Sequence, residues 1–380
     1  MPLQLCNARI VLPERLVEPA SITIDHDSIT SIEQNAIFTE GDLDLGGATL
    51  FPGFIDVHIH GSLGVDVMDA SPSELSQVSE YLASQGVTGW LPTFVPASDE
   101  NYASAVAAIS ESVGSGGARV LGVHYEGPFV NSAQCGALHT EYFKSYSGPD
   151  DLSFLHTPEN AVRMITLAPE VSGGVELVRE LHARGWVISI GHTRAELKVL
   201  DDACEAGAKH MTHFMNAMSP LHHRTPGPIA LGLSRDDVTF DMIADGIHLD
   251  PYMLRLLLKT KGVRGISLIS DAIAAAGKGD GDYQIWGETI NVRNGRTANA
   301  SGSIAGSVIS MLDAVRLLRS LGVSDVELAQ MAATNPARLL GLDAVCGSIE
   351  VGKRADLVAL DEDGNVKLTI VAGNVAFTSR

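Results

Sequence analysis

Two histidines, His58 and His60, stand one residue apart at the end of the apolar run FPGFIDVHIHG. The preceding residues have the composition of a β-strand, in which alternate side chains point to the same face. Both imidazoles are therefore expected to project together at the point where Gly61 ends the strand. A metal ion is a typical reason for such an arrangement, although histidines at strand ends are also ordinary surface residues.

Histidine or a carboxylate occupies the same kind of position, the end of a strand-like run, in four other segments. These are Glu126 in VLGVHYEGPF, His192 in VISIGHT, His213 in KHMTHFMNA and Asp271 in ISLISDA. Imidazole nitrogens and carboxylate oxygens suit zinc, iron and related divalent ions, and no cysteine accompanies them. Burying so many polar groups without partners would cost about 1–3 kcal/mol for each group. The residue types therefore predict a metal site, provided that the segments converge.

The middle of the chain alternates predicted strands and helices, and this alternation brings the strand ends together. Predicted helices include SPSELSQVSEYLASQG, ASDENYASAVAAISESV, GGVELVRELHARG and TRAELKVLDDACEAG. Predicted strands end near residues 60, 94, 126, 169, 192, 213, 248 and 271. Eight such units predict an α/β fold, a TIM-like (β/α)8 barrel, whose strand ends all meet at one face. After the last strand we expect a hairpin with an Asn294-Gly295 turn, then a helix in SVISMLDAVRLLRSLG.

At the mouth of such a barrel, six candidate ligands exceed what one tetrahedral ion can bind. One or two divalent ions are therefore expected, with Glu126 as the bridging residue if there are two. A catalytic metal keeps one position open for water and lowers its pKa to about 7. Asp271, expected on the opposite side of the barrel, is predicted to transfer the proton. The alternatives for Asp271 are a further metal ligand or an N-cap at the strand end.

Both ends of the chain differ in pattern from its middle. Residues 1–50 contain short strand-like runs such as QLCNARIV, and the last forty residues contain others joined by Gly-Lys, Asp-Gly and Gly-Asn turns. We therefore expect a small discontinuous β-sandwich domain made from residues 1–50 and 342–380. The metal-dependent barrel, residues 51–341, is expected to be inserted between these two parts.

The composition limits the classes of partner. The chain has 26 Lys and Arg against 46 Asp and Glu, a formal net charge of −20, which disfavours binding to nucleic acids and to anionic membranes. No apolar stretch approaches the roughly 20 residues of a membrane helix, and no secretory signal is visible. Four widely spaced cysteines without a CxxC pair indicate reduced thiols. A cytoplasmic location is therefore expected.

Several segments resemble the amidohydrolase superfamily and, within it, the N-acetylglucosamine-6-phosphate deacetylases. PGFIDVHIHG is typical of the superfamily, whereas HYEGPF, MNAM and ADGIH are similar to the deacetylases. The similarity continues in MAATNPARLLGL and GSIEVGKRADLVAL near the end of the chain. It implies the same fold that the pattern predicts.

The resemblance implies hydrolysis of an N-acetyl amino sugar phosphate. Glu126, His192 and His213 are implied to hold the principal ion, zinc or iron. His58 and His60 are implied to hold a second ion where the family uses two. Asp271 is implied to take the proton of the attacking water and to return it to the departing amine, which leaves poorly until it is protonated. The implied products are acetate and glucosamine 6-phosphate.

For the phosphate of that substrate, the resemblance implies Asn216, the amides around Ala217, Arg224 and His248. Arg224 also fits by its chemistry, because a guanidinium matches phosphate oxygens and keeps its charge. The alternative for Arg224 is a solvated cation in a loop. In relatives a neighbouring subunit supplies one phosphate contact, so a homodimer is expected.

The loop NSAQCGALHTEYF departs from the family pattern, which has a sugar-binding His or Gln directly after Gly-Ala. Here Leu138 holds that place and His139 follows it. Either His139 binds the sugar from a shifted loop, or sugar recognition differs. Cys135 is interpreted as a bystander thiol. His124, two residues before Glu126, is expected to support that ligand from the same strand face.

Two other functions remain open from the sequence. One is a different amidohydrolase, such as a deacetylase of a galactosamine or mannosamine derivative. The other is an inactive barrel that only binds a partner. Arg224 and His248 favour a phosphorylated substrate, because an uncharged one would leave them without a partner. The complete ligand set argues against an inactive barrel.

Overall fold

The structure is a computed structural model that describes residues 2–34, 42–112, 114 and 116–379. Its first strands are β1 (Leu3–Val11), β2 (Leu16–Asp25), β3 (Ser28–Gln34), β4 (Leu43–Asp44) and β5 (Thr49–Pro52). In β1, Ala8 and Ile10 are buried, whereas Asn7 and Arg9, the residues before each of them, are exposed. This alternation is typical of a sheet that covers a core with one face.

The central strands follow. They are β6 (Phe54–Ile59), β7 (Gly61–Ser62), β8 (Val65–Asp66), β9 (Val87–Phe94), β10 (Arg119–Val120), β11 (Gly122–Glu126), β12 (Val162–Leu167), β13 (Val187–Ile190), β14 (His210–Met211), β15 (Thr239–Ile243) and β16 (Ile266–Ile269). Eight of them run parallel in the order β6-β9-β11-β12-β13-β14-β15-β16. The amide of Asp271 donates to the His58 carbonyl at 2.9 Å, and the amide of His60 donates to the Ala272 carbonyl at 2.8 Å. These bonds close the barrel beyond β16, so the predicted (β/α)8 barrel is confirmed.

Helices surround this barrel. They are α1 (Pro72–Ser84), α2 (Asp99–Ser112), α3 (Gly174–Ala183), α4 (Leu197–Ala206), α5 (Gly227–Ser234), α6 (Pro251–Lys261), α7 (Met311–Ser320), α8 (Asp325–Ala329) and α9 (Asn335–Leu339), with a π-helical turn at Gln330–Thr334. Ser71 and Ser310 cap α1 and α7, and each accepts a backbone amide from the third helical residue, Glu74 and Asp313. The capping residues therefore fix where these two helices begin.

Three elements differ from the prediction. The seventh barrel strand ends at Ile243 and not at His248, because Asp245 Oδ1 accepts the amides of Ile247 and His248, both at 2.8 Å, and forms a turn. The predicted hairpin has a third strand, so it consists of β17 (Gly281–Ile285), β18 (Glu288–Arg293) and β19 (Arg296–Ala298). The predicted helix from residue 307 begins only at Met311, after its Ser310 cap.

The last strands, β20 (Leu357–Leu360), β21 (Val366–Val371) and β22 (Asn374–Thr378), join those of the other end. The sheet order is β22-β21-β20-β5-β1-β2-β3, with β4 beside β1. Because β5 pairs with both β1 and β20, the strands from the two ends of the chain form one continuous sheet. This confirms a β domain built from both termini, while the boundaries at residues 50/51 and 341/342 stay a prediction. Within the described ranges, no helix is long and apolar enough to span a bilayer.

Candidate metal centre and active site

The six side chains predicted from strand ends lie together at one mouth of the barrel. Each is at most 6% exposed. They form two groups in which the potential ligand atoms all lie within 4.8 Å of one another. The first group is Glu126, His192 and His213, and the second is His58, His60 and Asp271.

The first group surrounds one carboxylate oxygen. Glu126 Oε1 lies 2.9 Å from His192 Nε2 and 3.0 Å from His213 Nε2. The two ring nitrogens are 3.2 Å apart. Two nitrogens bound at the usual zinc distance in a tetrahedral site would be separated by about 3.3 Å. The spacing of this group therefore fits a divalent cation.

The second group adjoins the first. The Nε2 atoms of His58 and His60 are 3.2 Å apart. Asp271 Oδ1 lies 3.5 Å from the former nitrogen and 3.3 Å from the latter. The expectation that Asp271 comes from the opposite side of the barrel is wrong, because the ends of β16 and β6 are neighbours.

Ring hydrogen bonds point the histidines toward a cation. His60 Nδ1 donates to the Thr93 carbonyl at 3.0 Å, and His192 Nδ1 donates to the Gln134 carbonyl at 2.8 Å. Each bond fixes a proton on Nδ1 and turns Nε2 toward the cluster, where Nε2 can bind a cation once it carries no proton. The close Nε2 pairs set two ring nitrogens against each other, a contact that a cation bound in place of their protons would relieve. The residues present therefore fit a metal ion.

The charges of the cluster also favour a cation. Burial lowers the pKa of His60, but the hydrogen bond to Asp271 and the charge of Glu126 outweigh it and raise this pKa to about 9. Burial likewise lowers the pKa of His213, and Glu126 overrides it and raises the value to about 9. Burial raises the pKa of Glu126, yet His58 and the other histidines hold it well below its usual value. The site therefore keeps its carboxylates charged and attracts positive charge.

Backbone strain is concentrated at the same residues. His192, His213 and Asp271 have left-handed backbones, with φ of 48°, 30° and 50°. Such conformations cost free energy for residues with a Cβ, and they persist where the surrounding structure fixes them, often at functional sites. Each of the three lies two residues beyond the end of a barrel strand. The strain therefore accompanies the turns that place these side chains in the mouth.

Glu170 is a supporting residue that the sequence reasoning missed. Its Oε1 accepts from Asn131 Nδ2 at 2.8 Å and from the Arg194 amide at 2.6 Å. Its Oε2 accepts from the Thr193 hydroxyl at 2.6 Å. One carboxylate thus joins the segment after β11 to the two residues that follow His192. The available signal was a carboxylate at the end of the fourth predicted strand, the same signal that identified Glu126.

His124 supports the site from a different direction than expected. Its Nδ1 donates to the Val57 carbonyl at 2.9 Å, and its Nε2 lies 2.7 Å from the Thr166 hydroxyl. Its ring centroid is 4.8 Å from that of His58. Burial holds the pKa of His124 well below its usual value. It is therefore a neutral ring that braces the strand of His58.

A cavity of about 370 Å³ opens over the metal groups. Three of the predicted substrate residues line it: Asn216, Ala217 and His248. His248 Nδ1 donates to Asp245 Oδ2 at 2.6 Å, which leaves Nε2 for a ligand. Burial raises the pKa of Asp245, but this hydrogen bond outweighs it and lowers the pKa below the usual value. The cavity therefore combines the candidate metal centre with polar groups that can hold a substrate.

Arg224 does not line this cavity. Its Nη1 lies 2.8 Å from His223 Nε2, and the residue borders a separate surface cavity together with Arg194 and Lys198. Within one chain, the structure therefore does not bring Arg224 to the metal groups.

His139 also lies elsewhere. Its Nδ1 donates to Glu141 Oε1 at 3.2 Å in an outer groove, while Leu138 lines the metal cavity. The partly exposed Cys135 is not among the lining residues, although Gln134 and Gly136 on either side are. The cavity thus contains Leu138 at the place where the family pattern has a sugar-binding His or Gln, and His139 does not line it.

Comparison with known proteins agrees with this geometry. The model of the amidohydrolase family matches residues 49–376. The N-acetylglucosamine-6-phosphate deacetylase of Bacillus subtilis is 40% identical over 344 residues, which is 88% of this chain and 86% of the relative. The N-acetylgalactosamine-6-phosphate deacetylase of Escherichia coli O157:H7 is 36% identical and covers 97% of each chain.

A solved structure gives the same result. The N-acetylglucosamine-6-phosphate deacetylase of Pasteurella multocida superposes with a TM-score of 0.92 at 32% identity, over 99% of each chain. The family model spans most of the sequence, including every residue of both metal groups. This chain therefore belongs to the amidohydrolase family.

Proposed function

We propose that this chain is an N-acetylglucosamine-6-phosphate deacetylase, which hydrolyses the N-acetyl group of its substrate to give acetate and glucosamine 6-phosphate. The observation that carries the proposal is the position of Glu126, shared by two histidine groups beneath a cavity with polar lining. The relatives of that name, at 34–40% identity, support the same reaction.

The proposed cofactor is zinc or iron, as one or two ions. Glu126, His192 and His213 would hold the principal ion, and His58 and His60 would hold the second. When bound, such an ion lowers the pKa of a water molecule and polarises the acyl carbonyl. A dense set of imidazole and carboxylate ligands without cysteine suits these metals.

Asp271 is the proposed proton-transfer residue. Burial raises its pKa, but His58 and His60 outweigh this effect and lower it, so the carboxylate is free to accept a proton. It takes the proton of the attacking water and delivers it to the amine nitrogen as the C–N bond breaks. Without that proton the amine leaves poorly.

The substrate phosphate is proposed to lie at the side of the cavity formed by Asn216, the amides around Ala217 and His248. A dianion needs such local donors, because the net charge of the whole protein is −20. We further propose that the active unit is a cytoplasmic homodimer in which Arg224 completes the phosphate site. This arrangement would explain why Arg224 lies outside the cavity of a single chain.

A galactosamine derivative is the second candidate substrate. The relative from Escherichia coli O157:H7 that carries this name covers more of the chain than the Bacillus subtilis relative does. In addition, Leu138 lines the cavity wall where the family pattern has a polar side chain, so the sugar hydroxyls have no hydrogen-bond partner at that position.

The deciding experiment is an acetate-release assay on enzyme of measured metal content. The panel contains N-acetylglucosamine, N-acetylgalactosamine and N-acetylmannosamine, each with and without the 6-phosphate. Among the six compounds, we expect N-acetylglucosamine 6-phosphate to be hydrolysed with the highest kcat/KM. The metal-loaded Asp271→Asn variant should not hydrolyse it. A clear preference for another sugar would contradict the proposal, and so would equal rates for N-acetylglucosamine with and without the 6-phosphate.

A further inference from the structure

Trp286 enters the active-site cavity from the tip of the β17–β18 hairpin. Its ring centroid lies 5.3 Å from that of His60, at an interplanar angle of 85°. Leu138 and Ile304 also line the cavity, so part of its wall is apolar. The sequence reasoning placed this tryptophan only within a hairpin.

The backbone at Trp286 is unusual for such a large residue. Trp286 and Gly287 form a two-residue turn in which both φ angles are positive, 54° and 75°. This is the pattern of a type I′ turn, which favours Asn-Gly because asparagine tolerates the left-handed conformation. Tryptophan in this conformation is strained.

The same small sheet contains a second turn of this kind for comparison. Asn294 and Gly295 connect β18 and β19, with φ of 51° and 76°. This turn has the favoured residues, whereas the turn that reaches the cavity has tryptophan. The difference points to a role for the indole ring that turn chemistry does not explain.

The indole nitrogen has a buried neighbour of its own. Trp286 Nε1 lies beside the Asp66 carboxylate, to which its N–H donates a weak hydrogen bond. A buried tryptophan N–H normally finds such an acceptor. The backbone therefore disfavours tryptophan at this turn, whereas the contact with Asp66 and the packing of the ring hold the indole in the cavity wall.

We propose that Trp286 is a specificity-determining residue, whose ring forms the wall that limits the acyl group to the size of acetyl. This inference rests on the proposed function. Proton transfer requires the amide to lie beside Asp271, whose Oδ1 is 3.3 Å from His60 Nε2. The polar side of the cavity, with Asn216 and His248, suits the sugar phosphate. The acyl end of the substrate then points toward the remaining apolar wall, next to His60, which Trp286 occupies.

The test is the acyl-chain preference of Trp286→Asn. Asparagine suits the turn, which offsets part of the packing lost with the ring, so we expect the variant to fold while the wall is removed. The substrates are N-acetyl-, N-propionyl- and N-butyryl-glucosamine 6-phosphate. We expect the propionyl-to-acetyl ratio of kcat/KM to rise about tenfold or more, the scale on which a pocket distinguishes one methylene. Trp286→Phe should give a smaller increase.

Asn294→Gly is the matched control, because it alters the equivalent turn and no residue of the cavity. The metal content of every variant is measured, so that a lost ion is not mistaken for changed specificity. An unchanged ratio in metal-loaded, folded Trp286→Asn would overturn the role of Trp286 and leave the proposed function intact. If the wild-type enzyme hydrolyses none of the three substrates, the proposed function fails, and the inference about Trp286 falls with it.

Discussion

Glu126 Oε2 lies 3.4 Å from His60 Nε2. The other oxygen of the same carboxylate contacts His192 and His213, at 2.9 and 3.0 Å. Glu126 therefore approaches both groups of candidate ligands, and its Oε1 also lies 3.6 Å from His58 Nε2. A change at this residue must affect both groups, whereas a change at a histidine affects mainly its own.

This geometry predicts different metal contents for two variants. Glu126→Gln should lose more metal than His60→Ala, because a neutral amide weakens both groups while the histidine variant keeps Glu126, His192 and His213. The measurement is metal per chain by elemental mass spectrometry after dialysis. Equal metal contents in the two variants would contradict a shared carboxylate.

Asp271→Asn separates metal binding from proton transfer. The amide keeps the size of the side chain but cannot accept a proton from water. We expect the metal content to stay near that of the wild type while kcat falls roughly a hundredfold to ten-thousandfold, the usual contribution of a general acid–base residue. Wild-type turnover in this variant would remove Asp271 from the mechanism.

His248→Ala and Arg224→Ala test the phosphate site. Each should raise KM for N-acetylglucosamine 6-phosphate roughly tenfold or more, since a charge-assisted hydrogen bond contributes about 1.5–3 kcal/mol. Neither should change kcat/KM for the sugar without phosphate. Light scattering on the same samples shows whether the enzyme is a dimer. If KM is unchanged in Arg224→Ala, Arg224 does not bind the substrate phosphate.

Metal affinity should fall as the pH is lowered. In the metal-free protein the pKa values of His60 and His213 are raised to about 9, so both rings carry protons at neutral pH. A metal ion must displace those protons, and each displaced proton weakens apparent affinity by up to about tenfold per pH unit below 9. Chelator competition between pH 6 and 8 measures this effect. A dissociation constant that does not vary with pH would contradict it.

Glu170 should support metal binding without touching the ion. The Glu170 carboxylate accepts three hydrogen bonds, and Glu170→Gln replaces one of its oxygens by an NH2 group. This group cannot accept, so the donor that faces it, the Thr193 hydroxyl or the Arg194 amide, loses its partner. We expect metal affinity to fall roughly tenfold to a hundredfold, as for other residues that orient ligands. Exposed Glu176 of α3 provides the control, and Glu176→Gln should leave the affinity unchanged. Equal affinity in the two variants would show that Glu170 does not orient His192.

Much of the site follows from local patterns in the sequence. Alternating strands and helices predicted the barrel, and in a barrel the carboxyl ends of all strands meet. Glu126 ends a strand, and His192 and Asp271 lie two residues beyond theirs, so their convergence followed from the fold. Asp245 shows the limit of this reasoning, because its side chain ends β15 early and turns the backbone before His248.

By itself, then, the sequence determined the barrel, the chemical types of the ligands and the end of the barrel where they gather, because local periodicity and strand direction decide these features. Only the tertiary structure decided that Asp271 lies beside His58, that Glu170 supports the loop of His192, and that Arg224 and His139 lie outside the cavity. Those relationships depend on which loops pack against each other across long separations in the chain. A motif specifies which residues a loop carries, whereas packing against distant segments decides where their side chains point.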